Sequence, residues 1–266
     1  MSTIPKIILN NLSFHLENTP VKFDQLNLAF EQLKYGIVGA NGVGKTTLLK
    51  LLLGELTPDS GAIQSACRII NIPQSHDAVA TNARLADVLG VSNILDALRR
   101  INNGSISDAD FELAADNWDI EQRIKTALTK LNLWPIDLNQ LFHNLSGGQK
   151  TKALLAKSFI LAADFLIFDE PTNNLDQASR AILSQYLAAT TKGMLIVSHD
   201  RALLNNCDKI VELTTKGIEI YGGNYDFYQE QKAIKQQAIE QEIQAQTGIS
   251  NKAKQTFLLF KYQIYH

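Results

Sequence analysis

The chain has 266 residues, of which 45% are hydrophobic and 20% are charged, and its formal net charge is −2. This length accommodates one large domain or two small ones with a sizeable core. The small net charge excludes nucleic-acid binding by bulk electrostatics, so any RNA contact requires a local patch. No apolar run reaches the ~18–20 residues of a membrane helix, residues 1–10 do not form a signal peptide, and Cys67 and Cys207 lack metal-like neighbours. We therefore expect a soluble, cytoplasmic protein with two reduced thiols.

The N-terminal part of the chain predicts short strands connected by turns. We expect the strands at Lys6–Leu9, Leu12–Leu16 and Leu26–Phe30, with turn residues at 10–11 and 18–20.

A strand, a glycine-containing loop and a helix follow. Tyr35–Val38 is a compact apolar strand, and Thr46–Leu53 is typical of a helix that stops at Gly54. Arg68–Ile72 is predicted to form another strand. The alternation of strands and helices favours an α/β fold.

Residues 84–141 change character and are predicted to be mainly helical, with a polar break at residues 102–105. A long helix follows Ser146, so we expect a helical subdomain at about residues 84–162. Phe165–Phe168 and Met194–Val197 are short, continuously apolar runs, as expected of strands that are buried on both faces of a parallel sheet.

The last part of the chain predicts two small features. Residues 218–228 indicate a hairpin-like piece with Gly222-Gly223 as its turn. From Asp226 to Gln246 the chain is rich in Gln, Glu and Lys without Pro or Gly, which favours a solvated helix.

The loop between the predicted strand and helix at residues 35–53 fits the pattern G-x-x-x-x-G-K-[ST]. Glycines let several backbone N–H groups approach phosphate, and the helix directs its positive end at the same anion. The lysine adds charge for the β- and γ-phosphates, and the threonine hydroxyl completes the shell of Mg²⁺. The predicted ATP-binding residues are Gly39, Ala40, Asn41, Gly42, Val43, Gly44, Lys45, Thr46 and Thr47.

Two carboxylates stand at the end of the predicted strand at Phe165–Phe168. Asp169 is placed to hold the Mg²⁺ shell, and Glu170 is placed to polarise a water molecule for in-line attack on the γ-phosphate. A salt-bridged acidic pair at a strand end is the structural alternative.

Three further sites carry polar groups at element ends. Leu145, Ser146, Gly147, Gly148 and Gln149 form a second anion-binding helix start, with Ser146 as its N-cap, or an ordinary loop-to-helix junction. His199 follows the strand at Met194–Val197 and has either a structural or a catalytic role. Gln74 follows another strand and is a candidate ligand of Mg²⁺ or of the attacking water.

Together these motifs resemble the nucleotide-binding domain of ATP-binding-cassette proteins over about residues 4–225. The resemblance implies a P-loop NTPase core with a mainly parallel sheet, an N-terminal antiparallel β subdomain, an inserted helical subdomain and a C-terminal helical tail. It further implies that Glu170 is the general base, that His199 holds the γ-phosphate and that Asp176 couples two sites. An aromatic residue should stack on adenine, and Phe14 is the candidate, with a core strand residue as the alternative.

Finer features are similar to the ABC-F branch, whose members act on ribosomes. Residues 170–176 are similar to that branch's Glu-Pro-Thr-Asn-His-Leu-Asp, except that Asn174 replaces the histidine. ABC-F proteins carry two cassettes, and this chain has one, followed by a linker-like tail at 226–266 that we expect to be truncated. The resemblance implies a second cassette as partner, through a homodimer or a missing tandem half, and ribosome or tRNA contact.

Two other functions remain open from the residues. The first is the ATP-binding subunit of a membrane transporter, against which the charged tail and the Thr172-Asn173-Asn174 segment argue. The second is a non-catalytic fragment that binds ATP without hydrolysing it.

Overall fold

The computed structural model describes residues 7–16, 21–65, 67–73, 79–173, 175–241 and 243. Within these residues the strands are β1 (Ile7–His15), β2 (Lys22–Phe30), β3 (Lys34–Gly39), β4 (Ser60–Ser65), β5 (Ile69–Ile72), β6 (Phe165–Asp169), β7 (Gly193–Val197), β8 (Lys209–Thr214) and β9 (Gly217–Gly222). The helices are α1 (Lys45–Leu52), α2 (Leu85–Leu89), α3 (Ser92–Asn102), α4 (Asp108–Ala114), α5 (Ile120–Lys130), α6 (Gly147–Ile160), α7 (Gln177–Ala189), α8 (Arg201–Leu204) and α9 (225–241).

The strands form two sheets, which confirms the predicted α/β fold. The small sheet is antiparallel with the order β2-β1-β4, and the large sheet has the order β5-β6-β7-β3-β8-β9. All neighbours in the large sheet are parallel except β8 and β9. Every residue of β6 and β7 is buried, because helices and the small sheet cover a central parallel strand on both faces.

The helices α2 to α6 fill the stretch between β5 and β6, in agreement with the helical pattern of that region. The predicted polar break separates two helices, since α3 ends at Asn102 and α4 begins at Asp108. The buried Asp110 carboxylate fastens the connection, because it accepts hydrogen bonds from Arg100 at 2.6 Å and from Ser105 at 2.7 Å. Among the described residues, none of the helices combines the length and hydrophobicity that a membrane-crossing segment requires.

Two predicted turns are wrong. Residues 10–11 lie inside the continuous strand β1, where Asn11 has a φ of 46° and the pairing with β2 shifts register between Leu9 and Leu12. They therefore form a bulge, which adds a residue without reversing the chain. Gly222-Gly223 does not turn a hairpin either, because β9 pairs with β8 through the turn at residues 215–216.

The helix predicted from Asp226 onwards is present as α9, which is helical over 225–241. It packs on the outer strands β8 and β9 through ion pairs of Lys232 with Glu212 and of Lys235 with Glu219. The edge-to-face rings of Tyr221 and Tyr228, with centroids 4.9 Å apart, add an apolar contact. The remainder of the predicted tail lies outside the described residues.

Candidate functional site

The glycine-containing loop joins β3 to α1 at the carboxyl end of the large sheet. Helix α1 begins at Lys45, its N-cap is Gly44, and no side chain caps the free N–H groups of its first turn. These donors and the positive end of the helix dipole face the loop. The Lys45 ammonium folds back over the loop and donates hydrogen bonds to the carbonyls of Gly39 at 2.8 Å and Ala40 at 3.0 Å. The loop thus combines backbone donors with one cation, as an anion site requires.

Gly39 is the last residue of β3 and the first residue of the loop. It pairs with Leu213 of β8 and has a φ of 152°. A Cβ atom at this position would lie 2.4 Å from the Leu213 carbonyl oxygen. Only glycine therefore fits at the start of the loop, for a steric as well as a conformational reason.

Strand β6 delivers two carboxylates next to this loop. The Thr46 hydroxyl donates to Asp169 Oδ2 at 3.3 Å, and Asp169 Oδ1 is buried without a hydrogen-bond partner in the described part of the chain. Glu170 follows with a φ of 46°, and its N–H donates to the Val197 carbonyl of β7 at 2.8 Å. The left-handed backbone conformation of Glu170 turns the chain at the end of the strand.

His199 reaches the same place from β7. Its Nε2 lies 3.5 Å from Glu170 Oε1, and its side chain is 62% exposed, whereas the side chain of Glu170 is 13% exposed. The carboxylate is therefore held in the wall of the site, and the imidazole stands at its open side.

Burial shifts the pKa values of these groups. Burial raises the pKa of Glu170, and the nearby His199 and Lys45 oppose this effect. Burial also raises the pKa of Asp169, against the Thr46 hydrogen bond and the charge of Lys45, and it lowers the pKa of Lys45. Each charged form is disfavoured by desolvation and supported by the opposite charges around it.

These groups share one open cavity of about 760 Å³. Of the predicted site residues, Asn41, Gly42, Gly44, Lys45, Thr46, Thr47, Asp169, Glu170 and His199 line it. Gly39, Ala40 and Val43 line a neighbouring cavity behind the loop. The structure thus brings the predicted phosphate, carboxylate and histidine groups together.

Phe14 is placed differently from the prediction. It is 7% exposed, belongs to the core and pairs with Phe23 across the small sheet, so the structure does not bring it to the cavity. Leu16 and Val21 line the cavity instead, together with Asn173, which the sequence reasoning missed. The signal for Asn173 is its place in the turn that closes on Glu170, whose carbonyl accepts the Asn173 N–H at 3.2 Å. Gln74 lies outside the described residues.

The segment Leu145–Gln149 lies apart from this cavity, and none of its residues is among those that line it. Ser146 is the N-cap of α6, as predicted: its hydroxyl accepts the Gln149 N–H at 3.3 Å, and its own N–H donates to Gln149 Oε1 at 2.9 Å. This reciprocal pair is a capping box. It leaves the start of α6 well formed, with Ser146 and Gly147 exposed.

Asp176 connects α6 to α7. It is the N-cap of α7, where it accepts the Ser179 N–H at 2.8 Å, and its second oxygen lies 2.6 Å from the Lys152 ammonium of α6. The hydrogen bond from Lys152 is the main reason why the pKa of Asp176 is lowered to about 2. Sequence reasoning missed Lys152, because the pairing partner is distant in sequence.

The residues present fit a magnesium ion. The described residues contain no group of three or more His, Cys, Asp or Glu side chains that could hold a metal, but Mg²⁺ commonly takes one or two carboxylates and completes its shell with water and substrate phosphates. The unpartnered Asp169 Oδ1 and the adjacent Thr46 hydroxyl supply such a partial shell.

A glycine-containing phosphate loop, a buried strand-end carboxylate and a mainly parallel sheet beside an antiparallel one define an α/β P-loop NTPase with the ATP-binding-cassette fold. A family model described as ABC transporter matches residues 23–173, and the chain belongs to this family of ATP-binding cassettes. A solved structure of an ATP-binding subunit of an ABC transporter has the same fold, with a TM-score of 0.65, 21% identity and coverage of 86% of this chain and 93% of that one.

Curated relatives extend the comparison. The energy-dependent translational throttle protein EttA of Mycobacterium tuberculosis is 31% identical, over 80% of this chain and 41% of its own length. ABC transporter F family member 5 of Arabidopsis thaliana is 31% identical, over 75% of this chain and 32% of its own length. The chain thus spans less than half the length of these relatives.

Proposed function

We propose that this chain is the ATP-hydrolysing cassette of an ABC-F protein that acts on translation in the cytoplasm and works only when paired with a second cassette. The observation that carries the proposal is the convergence of Lys45, Thr46, Asp169, Glu170 and His199 on one cavity. This set contains a cation for the phosphates (Lys45), a carboxylate for the metal (Asp169) and a base (Glu170) in one cavity.

The residues divide the work of phosphoryl transfer. The loop N–H groups and Lys45 bind the β- and γ-phosphates, while Thr46 and Asp169 would hold Mg²⁺, which neutralises charge on the phosphate oxygens when bound. Glu170 accepts a proton from water as the water oxygen bonds to the γ-phosphorus and the bond to the ADP oxygen breaks. His199, next to Glu170, donates a hydrogen bond to the γ-phosphate. Gln74 is proposed to contact the attacking water or the metal.

The separation of the two anion-binding helix starts supports the pairing requirement. Lys45 stands at the start of α1, whereas Ser146 and Gly148 stand at the start of α6, outside the phosphate-loop cavity. A second cassette can present its own Ser146 hydroxyl and Gly148 N–H to the γ-phosphate. The Lys152–Asp176 pair, which fastens the start of α7 to α6, supports the idea that Asp176 relays the state of one site to the other.

The ABC-F assignment is supported by the residues at 170–176 and by the similarity to EttA and to an F family member. It predicts co-sedimentation with ribosomes when hydrolysis is blocked. Retention on ribosomes by Mg-ATP in a Glu170→Gln chain, and not in a Lys45→Ala chain, is the expected result. Absence of ribosome binding, with binding to membranes carrying a transporter instead, would favour the transporter subunit.

The hydrolytic assignment is tested by Glu170→Gln alone. Because the change keeps the shape of the side chain, ATP binding should persist while turnover falls by roughly 10²–10⁴-fold, the usual contribution of a positioned base. Turnover at the unchanged rate would remove Glu170 from the mechanism. Loss of ATP binding in the variant would mean that the carboxylate has a structural role.

Pairing is tested by mixing two inactive chains. A Ser146→Arg chain keeps its phosphate loop, and a Lys45→Ala chain keeps its Ser146 segment, so a mixed pair retains one intact composite site. Activity should return on mixing and should depend on the concentration of both chains. If neither variant is rescued while the unmodified chain is active at any dilution, the cassette works alone.

A further inference from the structure

A second cavity lies away from the phosphate loop, between α5, the end of α6 and α7. Its volume of about 570 Å³ is within the ~300–1,000 Å³ of small-molecule sites. Phe159 and Tyr186 form its aromatic floor, with ring centroids 4.3 Å apart in an edge-to-face arrangement. The Tyr186 hydroxyl donates to the Ser158 carbonyl at 3.0 Å, which fixes the orientation of the ring. The cavity shares no lining residue with the ATP site.

Cations and amides surround this floor. Arg123, Lys130 and Lys192 line the cavity with Gln122 and Gln185, and no carboxylate is among the lining residues in the described part of the chain. Arg123 and Lys130 are two turns apart on α5 and therefore share one face of that helix, whereas Lys192 follows the end of α7 at Ala189. The wall of the cavity is therefore positive, although the whole chain has a net charge of −2.

The three cations are not equivalent. The Arg123 guanidinium is already engaged, because it donates to the Ile160 carbonyl at 3.2 Å and lies 3.0 Å from Asp119. Lys130 and Lys192 have no ion pair within 4.0 Å in the described residues. Burial lowers the pKa of Lys192, and the charge of Asp164 opposes this effect. These two lysines are the groups available to an anionic ligand.

A cation next to an aromatic floor fits one nucleotide of a single strand, whose phosphate pairs with lysine while its base stacks on the ring. A phosphate ion alone would not use the floor, and a duplex keeps its bases stacked inside. We propose that this cavity binds an unpaired nucleotide of an RNA loop, with its phosphate at Lys130 and Lys192 and its base against Tyr186. The choice of RNA rests on the proposed action on translation.

The experiment measures binding of fluorescently labelled oligouridylate to the full chain by anisotropy, with Mg-ATP present to occupy the other site. A chain with Lys130→Gln and Lys192→Gln is compared with one carrying Lys22→Gln and Lys216→Gln, which loses the same charge elsewhere on the surface. The slope of log affinity against log salt concentration is negative, and its magnitude should decrease by about 0.7 for each lysine lost from the cavity. The control pair should leave the slope unchanged.

The aromatic contact is tested in the same assay. Tyr186→Leu should weaken oligouridylate binding by roughly 5- to 150-fold, the range of base stacking. Tyr186→Phe, which keeps the ring but loses the hydroxyl that orients it, should weaken binding less than Tyr186→Leu. Affinity for a fluorescent ATP analogue reports folding of each variant independently.

Three results would overturn the site. These are equal losses in the two lysine pairs, unchanged binding by Tyr186→Leu, and displacement of oligouridylate by polyglutamate at equal charge. A chain that binds oligouridylate through the cavity but never sediments with ribosomes would contradict the proposed function instead. The two failures are therefore distinguishable.

Discussion

Gly39→Ala tests whether the phosphate loop depends on its contact with β8. The added Cβ would lie 2.4 Å from the Leu213 carbonyl oxygen, whereas an ordinary van der Waals contact of a Cβ atom is 3.4–4 Å, so the loop or the strand must move by about 1 Å. Overpacking of this kind costs roughly 1–3 kcal/mol, and the positive φ of 152° adds roughly 1–3 kcal/mol for a residue with a side chain. The Gly39 carbonyl that holds Lys45 moves with the loop.

Gly217→Ala is the matched control. Gly217 also has a positive φ, of 132°, at the neighbouring hairpin, but a Cβ there meets nothing within 4 Å. The Gly217→Ala variant should therefore lose only the backbone contribution to the free energy of unfolding. It should keep its affinity for ATP. Gly39→Ala should lose about 1–3 kcal/mol more and should turn over ATP about 10²-fold more slowly, as expected of a misplacement near 1 Å. Urea unfolding and steady-state turnover measure the two effects. Equal stability and equal turnover in the two variants would refute the steric reasoning.

Three further predictions probe other parts of the molecule. Because burial raises the pKa of Glu170, the ionised base is lost as pH falls through a value above the ordinary glutamate range. The acid limb of kcat/KM should lie there and should move to higher pH in His199→Gln, which removes a neighbour that lowers this pKa. Lys45→Ala should weaken binding of a fluorescent ATP analogue by about 10- to 150-fold, the equivalent of a charged hydrogen bond. Lys232→Met leaves a buried carboxylate of β8 without its ion pair and should lower the free energy of unfolding by about 1–2 kcal/mol, whereas Lys235→Met removes an exposed pair and should lower it less.

The strands that can be predicted from the sequence are those in which consecutive residues are all apolar. β6 and β7 are short, continuous apolar runs, and such runs are typical of strands that are buried on both faces of a parallel sheet. β8 was missed because it contains Glu212, which is only 8% exposed. Its charge is paired by Lys232, a residue of a later helix. The sequence carries no local sign of that partner, so tertiary contacts decide the strand.

The candidate site also has a part that sequence patterns predict and a part that they do not. Lys45, Thr46 and the carboxylates after β6 follow from motif spacing, because parallel strands end at one edge of the sheet and bring their last residues together. Phe14 could not be placed in this manner. Leu12 and Phe14 are both buried, since alternate residues of a strand face the same side. The bulge at Asn11 sets that alternation relative to Leu9, whereas the residue types at this position predict a turn.

Exposure links the geometry of the single cassette to the proposed pairing. Glu170 is shielded, but the neighbouring His199 is 62% exposed, and a charge in contact with water stabilises a transition state much less than one in a dry site. A surface that covers the open side of the cavity should therefore increase the rate of hydrolysis more than one that covers any other side. A helix start with bare N–H groups, such as the one at Ser146, supplies further donors as it excludes water. Because this start lies outside its own cassette's cavity, the proposed second cassette would be the source of both effects, and we expect hydrolysis to be coupled to assembly rather than to ATP binding alone.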